Sequence, residues 1–166
     1  MSNVFKLFFI LCFSFLTHLS YGNSVDKLQA YIDKNCKSGC VDASLLAMAI
    51  EKASTETGAS QNMLIAIIKP ESNFQTKSIN KNKGKSVGLF QIQVRWHREK
   101  FRSRNYSDVF ENVRAGALVY KGCMDKWNGS KERALWCYNG HQKFGMKNYV
   151  PKVLLAYREI SQLRVF

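Results

Sequence analysis

Apolar residues recur along this chain at helical spacing, and polar turns separate the runs. Residues 24–34 read as a short helix, followed by a loop from Lys34 to Cys40 that contains Gly39. Asp42 suits the N-cap of a helix running to about Thr57. Leu45, Leu46, Ala49, Ile50 and Ala53 fall on one side of it, with Gly58 just past its end. Ser60 can cap the next helix, where Met63, Leu64, Ile65, Ala66, Ile67 and Ile68 leave little polar face. A helix that apolar is buried. Pro70 should bend or close it, with Glu71 at its C-terminal end.

Residues 75–87 are polar, with Asn82, Gly84 and several lysines, and read as a loop or short irregular hairpin. A helix from Gly88 to about Lys100 is predicted after it. Asp108 with Glu111 three residues later forms an Asp-type capping box opening a helix to about Trp127. Ser130 caps another that reaches Tyr138, and a last helix starts near Tyr149 with Pro151 in its first turn. The pattern predicts one compact, mainly helical domain with a small polar excursion beside Glu71.

The N-terminus changes the domain boundary. Lys6 is the only charge in residues 1–22, and Leu7 to Leu16 is apolar apart from Ser14, too short to span a bilayer. Ser20 and Gly22 supply small residues before a cleavage point, so 1–22 reads as a signal peptide and 23–166 as the mature domain. No stable membrane anchor is expected after cleavage. Taking 22 residues from 166 leaves 144, enough for one core, and losing Lys6 lowers the formal net charge from +13 to +12. Such a surface attracts polyanions. The basic residues form no nucleic-acid motif, so an anionic cell envelope ranks ahead of nucleic acid.

Four cysteines remain, Cys36, Cys40, Cys123 and Cys137, and an even count in an exported chain points to two disulfides. Three pairings are open. Cys36–Cys40 with Cys123–Cys137 is favoured, because the second pair flanks the Asn128-Gly129 turn between two helices. The spacings Cys36-x3-Cys40 and Cys137-x3-His141, with His97, fit no common zinc pattern, so neither metal nor cofactor is expected. His97 has no motif around it and reads as a surface residue.

Glu71 is the only acid between Glu56 and Glu99, while Lys69, Lys77, Lys81, Lys83 and Lys85 crowd the same stretch. A carboxyl at the end of a buried apolar helix is desolvated, which favours its neutral form, and the helix C-terminus pushes the same way. Lysines that approached it would pull the other way. Glycosidic cleavage usually takes two carboxylates. A lone acid can still serve when an acetamido or hydroxyl group of the substrate attacks intramolecularly.

The ordered set Pro70-Glu71-Ser72-Asn73-Phe74, Gly88-Leu89-Phe90-Gln91-Ile92, Asn112 with Gly116, Tyr138-Asn139-Gly140 and Tyr149-Val150 resembles the lytic transglycosylase domain of the soluble-lytic-transglycosylase type, related to goose-type lysozyme. It spans about residues 60–153. The resemblance implies an α+β lysozyme-like fold and cleavage of the β-1,4 bond between N-acetylmuramic acid and N-acetylglucosamine in peptidoglycan, with a 1,6-anhydro product. It implies Glu71 as general acid and then base. Ser72 would buttress Glu71 or the substrate acetamido group, and Gln91 would hydrogen-bond sugar. Tyr138 and Asn139 would line the site, and Tyr149 would orient Glu71 or the intermediate. Three positions depart from the pattern. Lys69-Pro70 stands where small or polar residues usually precede the Glu, Phe90 replaces the commoner Met, and His141 follows Gly140.

The expected partners are therefore peptidoglycan glycan strands in the periplasm or outside the cell, met by a monomer. The small size without wall-binding modules resembles enzymes that accompany a secretion or conjugation apparatus. A hydrolytic muramidase on the same fold and a non-catalytic glycan-binding or scaffold protein are the competing readings.

Overall fold

The computed structural model describes residues 23–80, 86–140 and 147–163. The expectations about residues 1–22, Lys81, Lys83, Lys85 and His141 lie outside them. Helix α1 covers residues 23–35 and buries Leu28, Tyr31 and Ile32. Helix α2 is Ala43–Thr57. The Asp42 carboxylate accepts from Leu45 N at 2.8 Å to start it, and Gly58 at φ 72° ends it. Helix α3, Gln61–Ser72, carries the uninterrupted buried run Met63–Ile68 through the middle of the molecule. Ser60 occupies its N-cap without a side-chain hydrogen bond.

Pro70 neither stops nor ends α3. The helix continues through Glu71 and Ser72 and closes at Asn73, whose left-handed backbone (φ 52°) sends its N–H to Lys69 O at 3.1 Å. A proline this close to a C-terminus removes only one donor of the ladder.

The polar excursion is a three-stranded antiparallel sheet in the order β1 (Ile79–Asn80), β2 (Ser86–Val87), β3 (Ile92–Gln93). Ile79 faces Val87, and Val87 faces Ile92. The helix predicted over 88–100 is not formed. Residues 88–91 make a turn, β3 follows, and only Val94–His97 (α4) and a 3-10 turn, Arg98–Lys100, are helical. The cause is tertiary. Helix α5, Val109–Lys126, presents the fully buried Asn112. Its Oδ1 accepts from Phe90 N at 2.8 Å, and its Nδ2 donates to Val87 O at 3.0 Å and Tyr106 O at 2.8 Å. Those bonds hold β2 and the turn in extended and turn geometry.

Two glycines let the turn come that close. A Cβ on Gly88 would sit 2.3 Å from Asn112 Nδ2, and one on Gly116 would sit 2.2 Å from the Phe90 ring. Asp108 caps α5 through Glu111 N at 2.9 Å, but Glu111 does not complete the predicted capping box. Its carboxylate instead accepts from Arg102 N at 2.7 Å. Helix α6, Lys131–Tyr138, folds back on α5, with Ser130 at its N-cap again making no side-chain bond. Helix α7, Tyr149–Leu163, lies along α3, and α2 lies along α5. The protein is a compact helical domain of lysozyme-like type with one small sheet. Disulfides join Cys36 to Cys40 and Cys123 to Cys137, the second tying α5 to α6. No cysteine of the four is left as a thiolate ligand.

If Asn112 and the two glycines set the turn, their loss should show as stability. Asn112→Ala strands three buried backbone groups and should cost at least about 3 kcal/mol. Gly116→Ala, pressed into Phe90, should cost about 1–3 kcal/mol. Urea unfolding of each variant measures both. Costs under about 0.5 kcal/mol would mean that the turn holds itself.

Candidate active site

Glu71 is half-buried on the last turn of α3. Two tyrosines from different helices face it. Tyr149 opens α7 and is 1% exposed, and Tyr138 ends α6. Their rings stack at 6.5 Å, 12° from parallel. Burial, and then the negative charge of Glu71, push both phenols well above their ordinary pKa. Both therefore stay neutral beside the carboxyl. The Tyr149 hydroxyl is buried and directed at Glu71 without a hydrogen bond of full geometry.

Tyr138 is anchored differently. Its hydroxyl donates to Phe90 O at 2.7 Å. The expectation placed it as a lining residue, and the structure gives its hydroxyl a positioning bond to the 88–91 turn. Gln91, expected to bind sugar, sits at φ 47°. Its Nε2 donates to Ser78 O at 3.0 Å and Gly88 O at 2.8 Å, so the side chain has only its carbonyl oxygen left to offer. Ser72 is buried, with its hydroxyl directed to Ile68 O at 3.4 Å, within its own helix. Asn139 is half-buried at the C-cap of α6, with its backbone N–H bonded to Leu135 O.

Lys69 does not spend its charge on Glu71. Its ammonium donates to Asn73 Oδ1 at 2.6 Å, and the acid it feels is Glu159 of α7. Burial lowers its pKa, partly offset by Glu159. Other acids are engaged elsewhere: Glu56 with Arg102 and Arg114, Glu99 with Lys100, Asp125 with Lys121, and Glu159 with the Tyr31 hydroxyl at 2.9 Å. His97, expected at the surface, is half-buried, and burial lowers its pKa. Among the described residues no group of His, Cys, Asp or Glu could hold a metal ion, and no helix is long and apolar enough to cross a membrane.

The sequence reading passed over Trp96. It stands 65% exposed on α4, directly after β3, with the Arg95 guanidinium 4.8 Å from its ring centre. Its signal was compositional, a tryptophan among polar residues four positions beyond Ile92. A cavity of about 640 Å³ lies elsewhere, lined by Ser60, Met63, Tyr120, Met124 and Lys131 among others. It is at the opposite end of α3 from Glu71, about 15 Å away by helical rise. The carboxyl and its two tyrosines, rather than that hollow, make up the candidate site.

The tyrosines should govern alkaline stability. Tyr120 is held protonated by burial and by Tyr157, its pKa raised from 10.0 to about 12. Tyr138 and Tyr149 are raised as well. Their folded pKa values lie above the unfolded one, so their contribution is full below pH 10 and is lost as pH rises toward the folded values. Lys69, with its lowered pKa, opposes this over a window below 10.5. The melting temperature should fall between pH 10 and 11, and Tyr120→Phe should flatten that slope. An unchanged slope in the variant would contradict the assignment.

No solved structure matches this chain. Residues 48–157, about two thirds of its length and containing every residue of the site, match the transglycosylase SLT domain. With the helical fold and the ordered Glu71, turn and tyrosine positions, that match places this chain in the transglycosylase SLT domain family, whose members act on peptidoglycan.

Proposed function

We propose that this protein is an exported lytic transglycosylase that cleaves the β-1,4 bond between N-acetylmuramic acid and N-acetylglucosamine, with Glu71 as its only catalytic carboxyl. The observation that carries the reading is Glu71 on the end of a buried apolar helix, faced by two tyrosines that stay neutral. A carboxyl in such surroundings is suited to holding a proton until a leaving oxygen needs it. In the first half of the reaction Glu71 donates that proton to the glycosidic oxygen, and the bond to the muramoyl C1 breaks. In the second half the C6 hydroxyl of the same sugar attacks C1, and the Glu71 carboxylate takes its proton. No water is consumed and no second acid is needed, since proximity within one sugar supplies the nucleophile.

Tyr149 is the donor that supports Glu71 while it carries negative charge between the two halves. Tyr138, stacked on Tyr149, holds the 88–91 turn beside the site through Phe90 O. Residues 1–22 act as the export signal. Two disulfides among the described residues suit an oxidising compartment. The excess of basic residues draws the protein to an anionic wall. Trp96 offers a flat apolar face for a sugar ring farther along the strand.

Purified sacculi digested with the wild type should release muropeptides lighter by one water than hydrolytic products. Glu71→Gln should release none, a loss of at least about a thousandfold. Products with free reducing ends would move the assignment to a muramidase. No release by wild type from walls of more than one chemistry would leave a glycan-binding protein. Trp96→Ala should raise KM about fivefold with kcat nearly unchanged, as expected for binding made equally in ground and transition states. A fall in kcat alone would place Trp96 at the reacting bond instead.

A further inference from the structure

The four residues that follow Ser72 are all tied to the disulfide loop at 35–41. Asn73 Nδ2 donates to Asn35 O. Phe74 O accepts from Val41 N at 2.9 Å. Gln75 pairs with Cys40 as an isolated bridge, and its Nε2 donates to Ser38 O at 3.2 Å. Thr76 N donates to Gly39 O at 3.2 Å. Asn73 and Phe74 both hold positive φ, 52° and 66°, a conformation that side-chain-bearing residues keep only when their surroundings enforce it. Phe74 is fully buried, edge-on to Tyr31 at 5.8 Å. Asn73 also receives Lys69, so one side chain joins the end of α3 to the loop on two sides. The Cys36–Cys40 disulfide closes that loop, and Cys40 is half-buried rather than sealed.

We infer that the Cys36–Cys40 loop is a positioning clamp for Glu71, and that opening its disulfide turns the active site down. The inference rests on Glu71 being the acid. The loop touches neither substrate nor reacting atoms. It acts by holding the two residues after Ser72 in their strained geometry, which fixes the last turn of α3 and with it the carboxyl. A dithiol can open the clamp. One thiolate attacks a sulfur of the pair and releases a cysteine thiolate, and the second thiolate displaces the mixed disulfide. The protein sulfur–sulfur bond breaks and the reagent's forms, the two cysteines take up two protons, and the dithiol is oxidised by two electrons.

The test is steady-state turnover of mature protein on sacculi, oxidised and treated with dithiothreitol, with the opened cysteines mapped by alkylation and mass. Opening Cys36–Cys40 should lower kcat about tenfold, with KM changed less than about twofold, because misplacement of a catalytic group falls on the chemical step. Asn73→Gly, which keeps the left-handed backbone but loses both side-chain ties, should change kcat in the same direction. The Cys36→Ala/Cys40→Ala variant should show the lowered kcat without reductant, and dithiothreitol should lower it no further while alkylation shows Cys123–Cys137 still closed. Should that variant not fold, the mapped reduction and Asn73→Gly decide the matter on folded chain. Reduced protein with Cys36 and Cys40 shown open and kcat unchanged would overturn the clamp. So would a folded Cys36→Ala/Cys40→Ala variant that keeps the kcat of the oxidised wild type. An oxidised wild type without turnover is a separate failure: it removes the reading of Glu71 and this inference with it.

Discussion

The peptide of Phe90 is held at both ends by side chains from two other helices. Asn112 of α5 accepts from its N–H, and Tyr138 of α6 donates to the carbonyl oxygen. The ring of the same residue fills the space that Gly116 leaves on α5. Few positions in the fold are so over-determined, and what depends on this one is large. It fixes the 88–91 turn, the pairing of β2 with β3, and the place of the Tyr138 ring. That ring stacks on Tyr149, which faces Glu71. A helix end, a turn and a helix start far apart in sequence are thereby brought to one wall.

The electrostatics follow from the same arrangement. An apolar helix delivers Glu71 to a site walled by two phenols that cannot ionise at working pH. Lys69, two positions away in sequence, donates to Asn73 and feels the charge of Glu159. In the proposed route that carboxyl exchanges a proton with the substrate without a second acid to accept or relay it. The fold thus suits chemistry in which the substrate brings its own nucleophile, which is the proposed route.

The sequence made most of the helices legible because their signals are local. Asp42 and Gly58 cap α2 as their residue types demand, and the run Met63–Ile68 is buried because no face of it is polar. The order of the short motifs was legible as well, since Gly88 and Gly116 must lack a Cβ where Asn112 and Phe90 press against them. Long-range contacts were hidden. The region 88–100 has helical spacing, and the contacts that hold it otherwise are distant in sequence: Asn112, 22 positions from Phe90, and Tyr138, 48 positions away. Glu111 looked like the second half of a capping box until Arg102 N claimed it. Lys69 looked like a charge set against Glu71, but its ammonium donates to Asn73 and the acid whose charge it feels is Glu159 of α7. Of the candidate site, the positions of Glu71 on the last turn of α3 and of Tyr149 at the start of α7 were legible from the helix pattern. The hydrogen bonds of Tyr138 and Gln91 were not, because each runs to backbone that composition does not reveal.

In the proposed function a sugar strand binds with its scissile bond at Glu71. A crystal structure of the Glu71→Gln protein with a β-1,4-linked N-acetylglucosamine oligomer tests it most directly. The account predicts a glycosidic oxygen within hydrogen-bond distance of the residue 71 side chain, with the strand running past residues 88–93 toward Trp96. An oligomer bound instead in the cavity at the far end of α3, or one that leaves residue 71 untouched, would contradict it.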